Sequence, residues 1–515
     1  MKHEGRPEHY RWILPILLLA CLLRIAYLDA QSLWWDEAFS FSMSVADLPS
    51  LLANAVRYRV HPPLYYLLMH FWLSLGHSEF LLRIFSVFCG TMSVAIMYAT
   101  TALIGGKRLA TLATLLLAVS PFHVWYSQEV RMYSLTALLV LMTSFFFLRL
   151  LRQDTLSNWV AYGLCTLLAT YSDYLHLFII LAQAMFLIIL RKAYLKTLKK
   201  WFCCMAIIGG LYLPWVAAIS ASGGFYHASI SWIPPAQITD LFWTIYNFSV
   251  GSTSNPGNPL NIIATLLVIS LLAFGLVSLK KKPSDQQQNL GFILSWLVLP
   301  LLLTFLISLD WHLPQQRSIY IDRFFNPLLP AFLISTSVGI LHLSNRRRII
   351  GTMTVIMILI PTAGSLYNLF FNEDYARDQW RQTITEIREN ARSGDILLVR
   401  PHDYAPLYYY DSQEIPWHTV PYLESDHEYQ AFLNNEVPDR LSEGGRLWTM
   451  VVCENADIHR FVQGARQRLM EKVEKDEVRA WLLQNYQLLE EREYNGIYLG
   501  LYGDRQISTN TRIGM

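Results

Sequence analysis

Two adjacent carboxylates stand directly behind a pair of tryptophans in the run Trp34-Trp35-Asp36-Glu37-Ala38-Phe39-Ser40. An acid beside bulky indoles loses part of its hydration, and lost hydration raises a carboxyl pKa toward that of a usable base. Taken alone, the pair reads equally as a solvated turn with an aromatic anchor. Further along the chain come Arg57, Arg59 and His61-Pro62-Pro63-Leu64, then Ser120-Pro121 leading into Gln128-Glu129-Val130-Arg131-Met132-Tyr133, and finally Arg323-Phe324-Phe325-Asn326-Pro327. The acids offer proton acceptance. The arginines offer a planar fork that matches phosphate oxygens two at a time, which lysine, a point charge, does not.

The segments that must position these residues are greasy. Of 515 residues, 53% are apolar and only 16% charged, whereas about a quarter are charged in an ordinary soluble protein. Eleven apolar runs approach the length of roughly 20 residues that crosses a hydrocarbon core: 13–27, 80–104, 109–125, 132–150, 159–171, 175–190, 202–219, 260–279, 290–309, 324–343 and 349–371. The first has no small-residue cleavage site behind it and reads as a retained helix. The sequence therefore predicts a polytopic α-helical membrane protein with about eleven transmembrane helices. No disulfide framework or CxxC clip is on offer, since five of the six cysteines lie in apolar runs and Cys453 stands alone.

Charge separates two domains, 1–371 and 372–515. The first holds 25 Lys/Arg against 14 Asp/Glu, the second 16 against 25. The segment 61–75 is short and opens near two prolines, and it decides the orientation of everything after it. Read as lying in the interface or re-entering, it leaves 18 of the 25 basic residues of the first domain on one side, which the positive-inside rule makes cytoplasmic. The N-terminus is then cytoplasmic and the acidic tail extracytoplasmic, in the cytoplasmic (inner) membrane. The seven remaining basic residues, Arg24, Arg57, Arg59, Arg83, Arg131, Arg317 and Arg323, are all arginine; snorkelling to the outer interface is the plain alternative to phosphate contact, above all for Arg24 and Arg83. The tail alternates helical spacing at 378–388 and 458–474 with strand-like runs at 395–399, 446–452 and 496–502, a small α/β domain.

The ordered set Asp36-Glu37, His61-Pro62-Pro63-Leu64, Ser120-Pro121 with Glu129, Arg131 and Tyr133, and Arg323 to Pro327 resembles the membrane glycosyltransferases of the GT-C class. It is most similar to glycosyltransferase family 39, which includes protein O-mannosyltransferases and the lipid A aminoarabinose transferase, and the likeness runs from about 10 to 345. The resemblance implies a helix bundle with an extracytoplasmic catalytic cavity and a polyprenyl-phosphate-linked sugar donor. Independently, the cytoplasmic loops are too short for a nucleotide-sugar domain and carry no Gly-rich phosphate loop after a strand.

Polyprenyl phosphate leaves as a stabilised anion, so one base for the acceptor proton and cations for the phosphate suffice, without the second carboxyl of a glycosidase. The resemblance implies Asp36 as that base, with Glu37 and Glu129 orienting the acceptor or holding a divalent ion. It implies Arg131 and Arg323 as phosphate contacts and His61 and Tyr133 as lesser ones; Arg317 joins them as a basic residue of the same face. Reaction opposite the departing phosphate implies inversion. A metal, if bound, would find hard oxygen ligands in Asp36 and Glu129. The acceptor is extracytoplasmic and could be a lipid, a glycan or a protein; membrane lipids surround the helices, and the basic clusters read as topology signals, not nucleic-acid sites. Two departures weigh against eukaryotic-style protein mannosylation: no sugar-binding repeats interrupt the chain, and Tyr65-Tyr66 follow His61 to Leu64 where those enzymes have Gly-Lys. A transporter or flippase of a lipid-linked or anionic substrate is the rival class, but the acids sit at helix ends on one side only, where transporters place them within broken spans. Tyr408 to Tyr410 are expected to pack on the tail's own core, and Asp173 to cap a turn or line the cavity.

Overall fold

The computed structural model describes residues 13–224, 232–279, 284–312, 318–399, 404–411, 417–419, 432–441, 445–453 and 465–504. Backbone contacts divide the chain into two compact units. The first is Met1–Leu28 with Met43–Phe371, and the second is Asn372–Met515 together with Asp29–Ser42. The acidic loop is thus grouped with the tail and not with the flanking helices, for reasons given below.

All eleven apolar runs are helical in the first unit. Among the described residues six helices are long and apolar enough to cross a membrane, or seven if the bent pair Lys107–Val119 and Pro121–Ser127 is one span, and shorter apolar helices include Ile13–Ile25, His176–Ile189 and Pro259–Gly275. The segment behind His61 is a helix over Leu64–Trp72 finished by a 3-10 turn at Leu73–Leu75. At 1.5 Å per residue it is about 18 Å long, too short for a core of about 30 Å.

Packing is close where small residues let backbones meet. Gly339, on Leu329–Arg346, lies so near Pro259–Leu279 that a Cβ there would stand 2.3 Å from the carbonyl oxygen of Leu271. Gly251 has φ +94°, a region L residues avoid, and a Cβ there would meet Pro121 at 2.6 Å. The 59° bend at Ser120-Pro121 frees carbonyls that proline cannot re-engage. Arg24, fully buried, donates to Ala118 O at 3.0 Å, Leu117 O at 3.2 Å and its own Ala20 O at 2.8 Å, and lies 2.8 Å from His123 Nδ1. Arg83, also buried, donates to Leu28 O at 2.9 Å. Neither side chain snorkels; both hydrogen-bond backbone carbonyls.

The second unit is built on a five-stranded sheet of order β2-β1-β3-β5-β4, with β1 Ile396–Val399, β2 Trp417–Thr419, β3 Leu447–Val452, β4 Gln487–Tyr494 and β5 Ile497–Gly503. β1 pairs in parallel with β2 and β3, whereas β5 pairs antiparallel with β3 and β4. Both faces of β1 are covered, so it reads as unbroken apolar sequence. Leu397 packs with Trp380, Ile384 and Ile387 of the helix Trp380–Asn390, and Ile396 and Leu398 pack with Val478, Trp481 and Leu482 of Glu477–Asn485. Each such side chain contributes about 1.5–3 kcal/mol when fully buried. The outermost β4 is mostly exposed and charged, which discourages pairing with another chain.

Asp395 and Arg446, one residue before β1 and β3, tie the two strands at their starts, with Arg446 Nη2 donating to Asp395 Oδ2 at 2.6 Å and Trp448 Nε1 adding a bond at 3.2 Å. Burial alone would raise the Asp395 pKa, but the hydrogen bonds from Arg446, Arg392 and Trp448 outweigh it and leave the carboxyl below its usual value. A lowered folded-state pKa means that this stabilisation is complete above the unfolded carboxyl's value of about 3.9 and drains as pH falls through the folded one. Asp395→Asn is therefore expected to destabilise the sheet unit at neutral pH by about 3–5 kcal/mol, the cost of breaking a buried pair. It should also flatten the unit's acid unfolding curve, followed by hydrogen exchange of the β1 and β3 amides against pH. Wild-type protection at pH 7 in the variant would remove the pair from the stability of the sheet.

Candidate active site

The position of His61 is set by the helix before it. Leu48–Tyr58 is capped by Asp47, whose Oδ1 accepts from Ser50 N at 2.8 Å, and it ends where Arg59 turns left-handed at φ 57°. The Arg59 guanidinium fixes that turn by donating to Val56 O at 2.9 Å, to Gly224 O at 2.8 Å and to Ser222 O. Two residues later His61 is buried, and Pro62-Pro63 start the next helix.

Glu129, Arg131 and Tyr133 follow the Pro121–Tyr126 helix. Ser120 caps it and Pro121 occupies its first turn, where the missing N–H costs nothing. Gln128 Nε2 donates to Ala26 O at 2.8 Å and Arg24 O at 3.1 Å, and Ser86 Oγ donates to Glu129 O at 2.5 Å, so the connection is pinned on both sides. Tyr133 opens the helix Tyr133–Leu150. Arg323 lies in a seven-residue 3-10 helix, Asp322–Leu328, and Asn326 of that turn donates to Tyr133 O at 3.3 Å.

These elements bring His61, Tyr133 and Arg323 around one ring, Phe324, with Arg131 against His61 and Tyr133. His61 meets Phe324 edge-on at 5.7 Å between centroids, and Tyr133 lies 6.3 Å from it. Arg131 Nη2 lies 3.3 Å from His61 Nε2, to which it donates, and its guanidinium stands 5.7 Å from the Tyr133 ring. Arg323 stands over Trp232 at 5.1 Å and Phe324 at 6.0 Å. Arg131 and Arg323 are 4% and 5% exposed, so both cations are held where water screens them little. Burial first, then these two guanidinium charges, hold the His61 pKa well below 6.5. Its imidazole is neutral at physiological pH, which suits a ring whose Nε2 accepts from Arg131. The positive charge of the site belongs to the two arginines.

Acids surround this cluster. Glu129 is buried and accepts from Trp125 Nε1 at 2.7 Å. Asp322 is held by Thr244, which donates to Oδ1 at 2.6 Å, and by Asn247 on the same helix, Ile238–Val250. Asp173 receives Leu175 N at 2.8 Å in a tight turn; burial pushes its carboxyl up to about 6, against the lowering pull of that bond and of Arg131. Asp173 is therefore both the cap of a turn and an electrostatic neighbour of Arg131.

Asp36 and Glu37 belong to the second unit, in the first turn of Trp35–Val45, where the helix dipole favours anions. Trp35 and Phe39 stack at 5.2 Å, one turn apart. Glu37 is fully buried, and its Oε2 accepts from Arg377 Nη1 at 3.0 Å and from Trp34 N at 3.3 Å. Glu37, expected as an acceptor contact or a metal ligand, has its carboxylate engaged by a guanidinium 340 residues away. Among the described residues no three His, Cys, Asp or Glu side chains gather so as to hold a metal ion. Arg317 lies outside the described residues.

Sequence reasoning passed over Asp322, Thr244, Asn247, Trp125 and Trp232. Asp322 is adjacent to a residue it singled out, and an acid beside Arg323 was a usable signal. The pair on Ile238–Val250 gives none, because Thr and Asn in an apolar helix look like ordinary interior residues.

Residues 60–217 match the family described as Dolichyl-phosphate-mannose-protein mannosyltransferase. That stretch contains His61, Glu129, Arg131 and Tyr133. ArnT from Cupriavidus metallidurans bound to undecaprenyl phosphate superposes with TM-score 0.56 at 11% identity, over 96% of this chain and 98% of that one. The same protein in its apo state gives 0.57 over 95% and 97%, also at 11% identity. The Archaeoglobus fulgidus oligosaccharyltransferase in complex with Zn and sulfate gives 0.52 at 13% identity, over 96% and 74%. The chain has a GT-C fold. At these identities the likeness is one of fold, and no curated protein matches the sequence. Within the GT-C fold the matched stretch and the Phe324 cluster overlap at His61, Arg131 and Tyr133.

Proposed function

We propose that this protein transfers a sugar from a polyprenyl-phosphate-linked donor to an extracytoplasmic acceptor, a lipid, a glycan or a protein, at the outer face of the cytoplasmic membrane, with inversion at the anomeric carbon. The observation that carries the reading is the buried Arg131–His61 contact with Arg323 beside it, on a stretch that matches a dolichyl-phosphate-dependent family. Two desolvated guanidinium groups flanking a neutral imidazole favour an anion with several oxygens, and a phosphate diester is one. A structural relative bound to undecaprenyl phosphate supports the same donor class.

In the proposed reaction Asp36 accepts the proton of the acceptor nucleophile, which attacks the anomeric carbon opposite the phosphate. The bond from that carbon to the phosphate oxygen breaks, its electron pair stays on the oxygen, and Arg131 and Arg323 neutralise the charge that develops. Glu129, fixed by Trp125, is assigned to acceptor orientation, and His61 and Tyr133 to secondary donor contacts. In this reading the acidic second unit lies outside and the N-terminus inside, an orientation that the distribution of basic residues in the sequence supports.

The test is turnover in detergent by the full chain given a polyprenyl-phosphate sugar labelled in the sugar, with cell-envelope fractions as acceptor. The expected result is release of free polyprenyl phosphate and label in the acceptor, both abolished in Arg131→Ala. Uptake of the intact labelled lipid across proteoliposomes with no cleavage would replace this reading with transport.

A further inference from the structure

The second unit makes most of its described polar contacts with its inserted loop through one segment, Arg377 to Gln382. Ser32 Oγ donates to Gln382 Oε1 at 3.0 Å, Arg381 Nη2 donates to Asp29 O at 2.9 Å, and the Arg377 backbone N–H donates to Gln31 Oε1 at 3.1 Å. Two rings complete the hold: Tyr410 OH accepts from Leu33 N at 2.6 Å, and Tyr409 meets Phe41 edge-on at 4.9 Å. At the centre is the ion pair of Arg377 with Glu37, whose side chains are 7% and 0% exposed.

A buried ion pair is a poor source of stability, because stripping both charges of water costs about as much as their attraction returns. What such a pair does provide is a defined geometry, since a misaligned partner leaves a buried charge unmatched. Glu37 is the third residue of Trp35–Val45, and successive residues of a helix project about 100° apart. Locking Glu37 onto Arg377 therefore fixes the rotation of this helix about its axis, and with it the direction in which Asp36 points.

We propose that Arg377 is a positioning residue for the transfer reaction: through Glu37 it sets the rotational phase of Trp35–Val45 and so aims the Asp36 carboxylate at the acceptor proton. The proposal rests on the assignment of Asp36 as the base. It gives the tail a role in the chemistry through Arg377.

The test compares Arg377→Gln, Arg377→Lys, Glu37→Gln and the double variant with Asp36→Asn in the full-length detergent-solubilised protein, reading kcat, donor KM and hydrogen exchange of the amides over 33–42. A displacement of about 1 Å costs on the order of 10²-fold in rate. Arg377→Gln should lose kcat by about that factor with donor KM within about twofold, and should speed exchange over 33–42. Arg377→Lys should recover most of the rate, and Glu37→Gln combined with Arg377→Gln should cost no more than Arg377→Gln alone. Should Arg377→Gln fold poorly, Glu37→Gln, which keeps the shape of the side chain, must show the same drop in kcat at constant KM. Wild-type kcat in Arg377→Gln alongside an inactive Asp36→Asn would overturn the positioning role and leave the base intact. Wild-type turnover in Asp36→Asn would overturn the base and the positioning role together.

Discussion

Replacing Asp36 with asparagine is expected to lower turnover by roughly 10²–10⁴-fold, the range typical of losing a general base, while the donor still binds. Asparagine keeps the size and most of the hydrogen bonding of aspartate but cannot take up a proton. The Glu37–Arg377 pair beside it is untouched, so the helix start should stay in place. Single-turnover kinetics with bound labelled donor separate the two quantities. Near-normal chemistry in this variant would transfer the role of base to another carboxylate, and Glu129, buried and held by Trp125, is the first to test.

The second large effect is expected at the arginines. Arg131→Lys retains a cation but loses the fork, and it cannot reach His61 Nε2 and lie against Tyr133 in the way the guanidinium does at 3.3 Å and 5.7 Å. Arg323→Lys likewise gives up a flat cation over Trp232 and Phe324. A hydrogen bond to a charged group contributes about 1.5–3 kcal/mol, so each variant should weaken donor binding or slow phosphate departure by roughly 10- to 150-fold. Detergent stability should stay close to wild type. Lysine serving equally well at both positions, with donor affinity and rate unchanged, would remove these side chains from the phosphate.

How far the sequence could be read depended on whether a feature was local. The helices of the first unit are legible because each is apolar over most of its length: all eleven runs are helical, and six or seven of the described helices are long and apolar enough to span. The strands β1, β3 and β5 were legible because they are buried and continuously apolar, whereas β4, Gln-Leu-Leu-Glu-Glu-Arg-Glu-Tyr, is a charged edge that looks like loop or helix surface. Of the candidate site, His61, Arg131, Tyr133 and Arg323 stand out in the sequence because their types and order carry a resemblance, and the structure brings these four together. That Glu37 is paired could not be foreseen: Arg377 is one of sixteen basic residues in an acidic tail, and nothing local distinguishes it. Of the tyrosines at 408 to 410, expected to pack on the tail's own core, Tyr410 does pack against it, and Tyr410 and Tyr409 also meet the inserted segment at Leu33 and Phe41.

Arg24 bears on how the chain is built. Its hydrogen-bond acceptors at Leu117 and Ala118 lie 93 and 94 residues downstream, so they do not exist when Ile13–Ile25 leaves the ribosome. A guanidinium with few partners in hydrocarbon is costly, and until those carbonyls arrive its acceptor within the first helix is the carbonyl of Ala20. The contacts of Arg24 with Leu117 and Ala118 can therefore form only once the bent pair has been made, which puts the docking of the first helix against it late in the building of the chain.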